Sequence, residues 1–101
     1  MRFVVHVSLP PEKFNQAVLD GTAGAKMAKI LDEMKPEAAY FCAKDGKRGG
    51  FLVVNMNDVS EMVRLGEPWF LHFDANLEFL PAMTPADLQK GGLDDIGKKW
   101  K

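Results

Sequence analysis

The stretch Ala38–Met56, AAYFCAKDGKRGGFLVVNM, decides the fold. Its two ends, AAYFCA (Ala38–Ala43) and FLVVNM (Phe51–Met56), are short runs rich in aromatic, small and β-branched residues, the composition of strands. Between them Lys44–Gly50, KDGKRGG, is charged and glycine-rich and reads as a turn. Two such runs joined by a short glycine-containing loop pair as an antiparallel hairpin.

On the N-terminal side of the hairpin, Lys35-Pro36 closes a helical stretch, because the residue before proline is pushed out of the helical region. That stretch runs from about Pro11 to Met34 in two pieces. Phe14, Ala17 and Val18 form one apolar stripe; Met27, Ile30, Leu31 and Met34 form another. The break falls at Asp20-Gly21-Thr22-Ala23-Gly24, where each glycine costs a helix interior about 1 kcal/mol relative to alanine. Earlier still, Arg2–Leu9 alternates as a first strand, and Pro10-Pro11 ends it. On the C-terminal side, Asp58 with Glu61 resembles a capping box opening a short helix through Val59, Met62, Val63 and Leu65. Gly66 reads as its C-terminal cap, and Glu67-Pro68-Trp69-Phe70-Leu71-His72 as a restarted helical turn. Ala75–Leu80 is a fourth strand. Thr84-Pro85-Ala86-Asp87 caps a last helix through Leu88, Leu93, Ile96 and Trp100, weakened in its middle by Gly91-Gly92.

A chain of 101 residues, 47% hydrophobic and 27% charged, is one domain with no room for a second core. Its net charge of −1 lacks the basic excess that a surface reading nucleic-acid phosphates needs, so no nucleic-acid partner is expected. No apolar run is long enough to span a bilayer, and the start MRFVVHVSLPPEKF is too short and charged for a signal peptide. The single cysteine, Cys42, excludes an internal disulfide and fits a cytoplasmic location. No repeat or low-complexity segment is present.

The element order is β-α-β-β-α-β with an extra C-terminal helix, the ferredoxin-like α+β pattern with a four-stranded antiparallel sheet. One sheet face collects Phe3, Val5, Val7, Phe41, Leu52, Val54, Met56, Leu77 and Phe79, and takes the helices. The other collects Val4, His6, Ser8, Tyr40, Cys42, Phe51, Val53, Asn55, Asn76, Glu78 and Leu80. That set is too apolar for an ordinary wet surface. Its expected cover is a second copy of the sheet about a two-fold axis, which makes a homodimer.

Length, element order and this second face resemble the dimeric α/β-barrel superfamily, which includes muconolactone isomerase, antibiotic-biosynthesis-type monooxygenases and haem-degrading monooxygenases. The segments PEAAYF (Pro36–Phe41), DGKRGG (Asp45–Gly50), EPWFL (Glu67–Leu71) and PAMTPADL (Pro81–Leu88) look like an uncharacterised, muconolactone-isomerase-like branch of it. The resemblance covers nearly the whole chain. It implies a dimeric barrel and, on the muconolactone isomerase side, proton transfer without a cofactor. The haem-degrading relatives use an asparagine, a tryptophan and a histidine. Here Trp69 and His72 stand in a comparable region, but His6 stands where the asparagine is expected, which speaks against haem.

His6, Tyr40 and Glu67 are the expected acid–base residues. A histidine titrates near neutral pH, a tyrosine hydroxyl donates to an oxyanion, and a carboxylate beside proline is held in place. Trp69, His72, Asn55, Asn76, Glu78 and Arg48 are the expected ligand-binding residues: Trp69 as an aromatic wall, the polar side chains to orient oxygen atoms, and Arg48 at a glycine turn for an anion. Each has a structural alternative: His6 in a dimer interface, Glu67 at a helix end, Trp69 in the core, the polar set stapling two subunits, Arg48 solvating a hairpin tip. Two histidines without ligand spacing make no metal site. The expected function is binding, in a homodimer, of a small hydrophobic or aromatic oxygenated compound by a cofactor-independent isomerase or monooxygenase. The alternative is a non-catalytic dimeric sensor, carrier or scaffold, and a monomer whose last helix covers the second face is a third arrangement.

Overall fold

The computed structural model describes residues 1–101. Its elements are β1 (Arg2–Leu9), α1 (Pro11–Asp20), α2 (Ala23–Met34), β2 (Ala38–Lys44), β3 (Lys47–Asn55), α3 (Glu61–Phe73), β4 (Asn76–Pro81), α4 (Pro85–Lys90) and α5 (Leu93–Lys99). The four strands form one antiparallel sheet in the order β2-β3-β1-β4. This is the ferredoxin-like α+β arrangement.

The core lies between the sheet and α1–α3. From β1 and β3 it takes Phe3, Val5, Val7, Leu9, Leu52 and Val54, every second residue, as the period of a strand requires. The helices contribute Ala17, Ile30, Met34, Leu65, Trp69 and Phe73. No polar or charged side chain is buried. Phe41 shares the helix-facing side but stays 52% exposed, because β2 is an edge strand beyond the reach of the helices.

The break between α1 and α2 is present, with Gly21 in the left-handed region at φ 80° as the C-cap. Several boundaries differ from the sequence reading. The hairpin turn is only Asp45-Gly46, at φ 55° and 73°, and Lys47, Arg48, Gly49 and Gly50 pair with Lys44, Ala43, Cys42 and Phe41 as part of β3. An Asp-Gly pair with both φ positive matches the right-handed twist of the flanking strands, so the polar run continues the ladder. Next, α3 is continuous through Gly66 and contains Pro68. Leu65, Trp69 and Phe73 recur every four residues and enter the core together, which outweighs the hydrogen bond that proline removes. Gly66 is buried, and a Cβ there would sit 3.4 Å from Leu77 Cδ1. It is a glycine inside the helix, facing Leu77 and Phe79, rather than a cap. The start of α3 shifts as well: its N-cap is Ser60 rather than Asp58, Val59 lies outside it, and Asp58 closes the preceding turn, its Oδ1 accepting from Ser60 N at 2.9 Å while Glu61 Oε2 accepts from Asn57 N at 2.6 Å. The Ser60 side-chain and backbone hydrogen bonds hold the Asp58 carboxyl below its ordinary range; the Asn57 and Asp58 backbone N–H groups do the same for Glu61. Finally, the C-terminal helix is two helices, α4 and α5, parted at Gly92 with φ 72°. The capping box of Thr84 with Asp87 opens α4 as expected.

Gly49 and Gly50 let β3 run flush against its neighbours. A Cβ on Gly49 would collide with the Val7 carbonyl oxygen, and one on Gly50 would lie 2.6 Å from the Tyr40 carbonyl oxygen. Gly49→Ala is therefore expected to force the β1–β3 ladder apart and cost about 1–3 kcal/mol, the usual range for overpacking. Urea unfolding followed by circular dichroism checks it, and an unchanged midpoint would show that the ladder yields freely.

The long axis of the molecule is 60 Å, against 29 and 18 Å for the others. A nine-residue strand spans only about 30 Å. The remaining length is an arm, Ala82–Lys101, carrying α4 and α5, neither of which buries a residue. The monomer arrangement, in which Leu93, Ile96 and Trp100 cover the second face, is not what the chain adopts: these side chains are 61%, 49% and 79% exposed.

Candidate functional site

The sheet register decides which of the expected residues meet. His6 of β1 pairs with Phe51 of β3 on one side and Glu78 of β4 on the other; Phe51 pairs with Tyr40 of β2. Tyr40, Phe51, His6 and Glu78 thus form one row across the whole sheet, on the face that no helix covers. Flanking it is the row Ala38, Val53, Val4 and Leu80, and on the other side Cys42, Gly49, Ser8 and Asn76. Apolar surface stands open here: Tyr40 is 74% exposed, Leu80 47% and Phe51 37%.

Within the row, His6 Nδ1 lies 3.2 Å from Glu78 Oε1. The His6 ring stacks on Phe51 with centroids 4.7 Å apart and planes inclined by 20°. The carboxylate and the aromatic ring together fix the imidazole plane. With Nδ1 donating to Glu78, Nε2 is left as the acceptor, the form a general base takes. Tyr40, two strands from His6, is roughly 10 Å away at the backbone, since neighbouring strands lie about 4.8 Å apart.

Asn76 is in the adjacent row and borders this group. Asn55 is on the same face but roughly 13 Å along the strand. Its Nδ2 donates to Glu37 Oε1 at 2.6 Å and its Oδ1 accepts from the Met1 ammonium at 3.3 Å, so it fastens the start of the chain.

The others lie on the helix side. Trp69 is fully buried, with Nε1 donating to Met34 Sδ at 3.1 Å, and offers no surface to a ligand. His72 is half-buried and packs against Phe73, ring centroids 6.0 Å apart. Glu67 is exposed on α3 beside a groove formed with Met62, Phe70, Leu77 and Phe79. Arg48 has its guanidinium 5.0 Å over the Phe14 ring and donates to Asn15 Oδ1 at 2.6 Å, tying β3 to α1. The sheet therefore separates Glu67 from His6 and Tyr40. The sequence reading could not foresee this, because alternation in strands shows face membership while a helix face opposite it carries no shared register.

One hollow was missed. Leu9, Phe14, Met27 and Phe41 line a space of about 410 Å³ at the edge of the sheet, with Arg48 at its mouth. Its signal is the Gly49-Gly50 pair beside an edge-strand phenylalanine: without a Cβ on Gly50, the Phe41 ring lies across the backbone and leaves the space open. No cluster of three or more histidine, cysteine, aspartate or glutamate side chains is arranged to hold a metal ion. No helix is long and apolar enough to cross a membrane.

A protein-family model described as a domain of unknown function (DUF3303) matches residues 1–93. The curated proteins give no match to the chain.

Proposed function

The chain belongs to the family described as a domain of unknown function (DUF3303), a membership that brings no activity with it, and from the geometry we propose that it is a homodimeric small-molecule-binding protein acting by proton transfer. The ligand class is a hydrophobic or aromatic oxygenated compound held in a chamber between two facing sheets. The observation that carries this reading is the row Tyr40, Phe51, His6 and Glu78 on an uncovered, largely apolar face. The resemblance to the muconolactone-isomerase-like branch of the dimeric α/β barrels supports the same assembly.

In this reading the ligand ring lies against the exposed side of Phe51, whose other face holds the His6 ring. His6 Nε2 takes a proton from a carbon next to a carbonyl or phenolic carbon, and Glu78 stabilises the imidazolium that results. The Tyr40 hydroxyl donates to the oxygen where negative charge gathers. Return of the proton to a different carbon completes an isomerisation. A cofactor-independent monooxygenase would share the deprotonation and then add dioxygen to the carbanion; the peroxide so formed takes back the proton and loses water, leaving a carbonyl on the same carbon. Asn76 and the partner sheet bound the chamber, and the reducing cytoplasm suits the exposed thiol of Cys42.

A panel of aromatic lactones and quinols tests the proposal. Binding raises the unfolding temperature of the wild type, through the linkage of ligand and stability. His6→Gln is expected to slow deuterium exchange of the bound ligand's acidic C–H by about 100-fold or more, the scale of general-base catalysis, while leaving the thermal shift in place. A shift without exchange in the wild type favours the carrier alternative. The absence of a shift with every compound overturns the ligand class.

A further inference from the structure

We propose that the C-terminal arm, Ala82–Lys101, is an exchange arm that docks on a second copy of the chain, with its apolar side chains in the hollow beneath Phe41 of that copy. This rests on the homodimer above and adds which segment closes it.

The surface area asks for such an arm. A compact protein of 11.2 kDa exposes about 5,700 Å², whereas this chain exposes 7092 Å². The excess of about 1,400 Å² per subunit, taken over two copies, falls in the range of obligate homodimer interfaces. The radius of gyration, 17.1 Å against about 13 Å for a compact chain of this length, shows the same extension. Much of the excess is apolar: Met83, Leu93 and Trp100 are 70%, 61% and 79% exposed.

What covers these side chains has to be reachable and complementary. The arm leaves the sheet where β4 ends, at Pro81 paired with Phe3. The hollow beneath Phe41 lies at the opposite end, beside the Asp45-Gly46 turn. Within one subunit the two are far apart along the strands. A two-fold axis running across the strands reverses the second sheet and brings its hairpin tip to the same end as the root of the first arm, three strand spacings or about 14 Å across the sheet, a distance the arm spans. Charge sets the direction of docking. Lys47 and Arg48 at the tip have no carboxylate partner in their own subunit; α5 begins with Asp94-Asp95 next to Ile96 and ends with Lys98-Lys99, so its first turn faces the tip and its last turn points away. The first turn of α5 thus brings carboxylates to two unpaired basic side chains, and its apolar side chains to an apolar hollow.

The fluorescence of Trp100, taken as the difference between wild type and Trp100→Phe, separates the outcomes alongside sedimentation of the full chain. The expected result is a dimer in which Trp100 emission is blue-shifted and moves red on dilution. Leu93→Asp with Ile96→Asp, and separately Phe41→Asp, each weaken dimerisation at least tenfold and move Trp100 emission to the red. Circular dichroism confirms the fold of each variant, whose substituted side chains are exposed in the subunit. A dimer with Trp100 in water, or one unaffected by both variants, overturns the arm and leaves the sheet interface standing. A dimer sensitive to the arm variant but not to Phe41→Asp overturns the receiving hollow. A monomer at all concentrations overturns the arm and the homodimer together.

Discussion

Replacing Trp69 by alanine is expected to cost about 3–5 kcal/mol, the range for truncating a large buried aromatic. Trp69 is fully buried at the centre of α3 and touches the core on several sides. It packs against Phe73 with ring centroids 6.4 Å apart, and its indole N–H reaches Met34 of α2 at 3.1 Å. Alanine would leave a cavity that α2, α3 and the sheet cannot close without moving together. Domains of this size are stable by only about 5–15 kcal/mol, so the variant loses a large share of its stability. Trp69→Phe keeps most of the apolar volume and should lose far less. Urea unfolding of the two variants makes the comparison, and a loss below about 1 kcal/mol for alanine would mean that α3 is held mainly by something other than this side chain.

The second large effect is expected at the uncovered sheet face. Val53→Asp places a carboxylate on β3 in the row with Ala38, Val4 and Leu80. In the isolated subunit the position is half-buried on the open side, so the fold should tolerate it. In the proposed dimer the two-fold axis brings two such carboxylates into one apolar interface, where an unpaired charge costs several kcal/mol each. The variant should sediment as a monomer under conditions where the wild type is dimeric, with an unchanged circular dichroism spectrum. A Val53→Asp dimer as tight as the wild type would remove the sheet face from the interface.

The hairpin and the strand parities were readable because alternation is a local signal: Phe3, Val5, Val7, Leu52 and Val54 announce their side of the sheet two residues at a time. The row Tyr40, Phe51, His6 and Glu78 also follows once the register is known, since every member lies at an outward position. Other features hid because they depend on partners distant in sequence. Gly66 reads as a helix stop until Leu77 and Phe79 are placed beside it, and Pro68 reads as a helix start until Trp69 and Phe73 are seen in the core. Lys47 and Arg48 resemble loop residues, although the two-residue turn at Asp45-Gly46 makes them strand. Glu67, Trp69 and His72 are close in sequence, but a helix turns them to different surroundings: solvent, core and the boundary between.

The wholly apolar interior has a consequence for how the protein meets acid. Nothing inside the core takes up or gives off a proton, so acidification finds no internal weak point. The carboxyls held below their ordinary range, Asp20, Asp58, Glu61 and Asp87, all sit at helix ends on the surface, where hydrogen bonds from Thr22, Ser60, Asn57 and Thr84 favour the ionised form. Their contribution is present above the ordinary carboxyl range and fades as the pH falls through the depressed values. Vinegar-like conditions would therefore fray the rims of the helices first, while the oily centre stays closed.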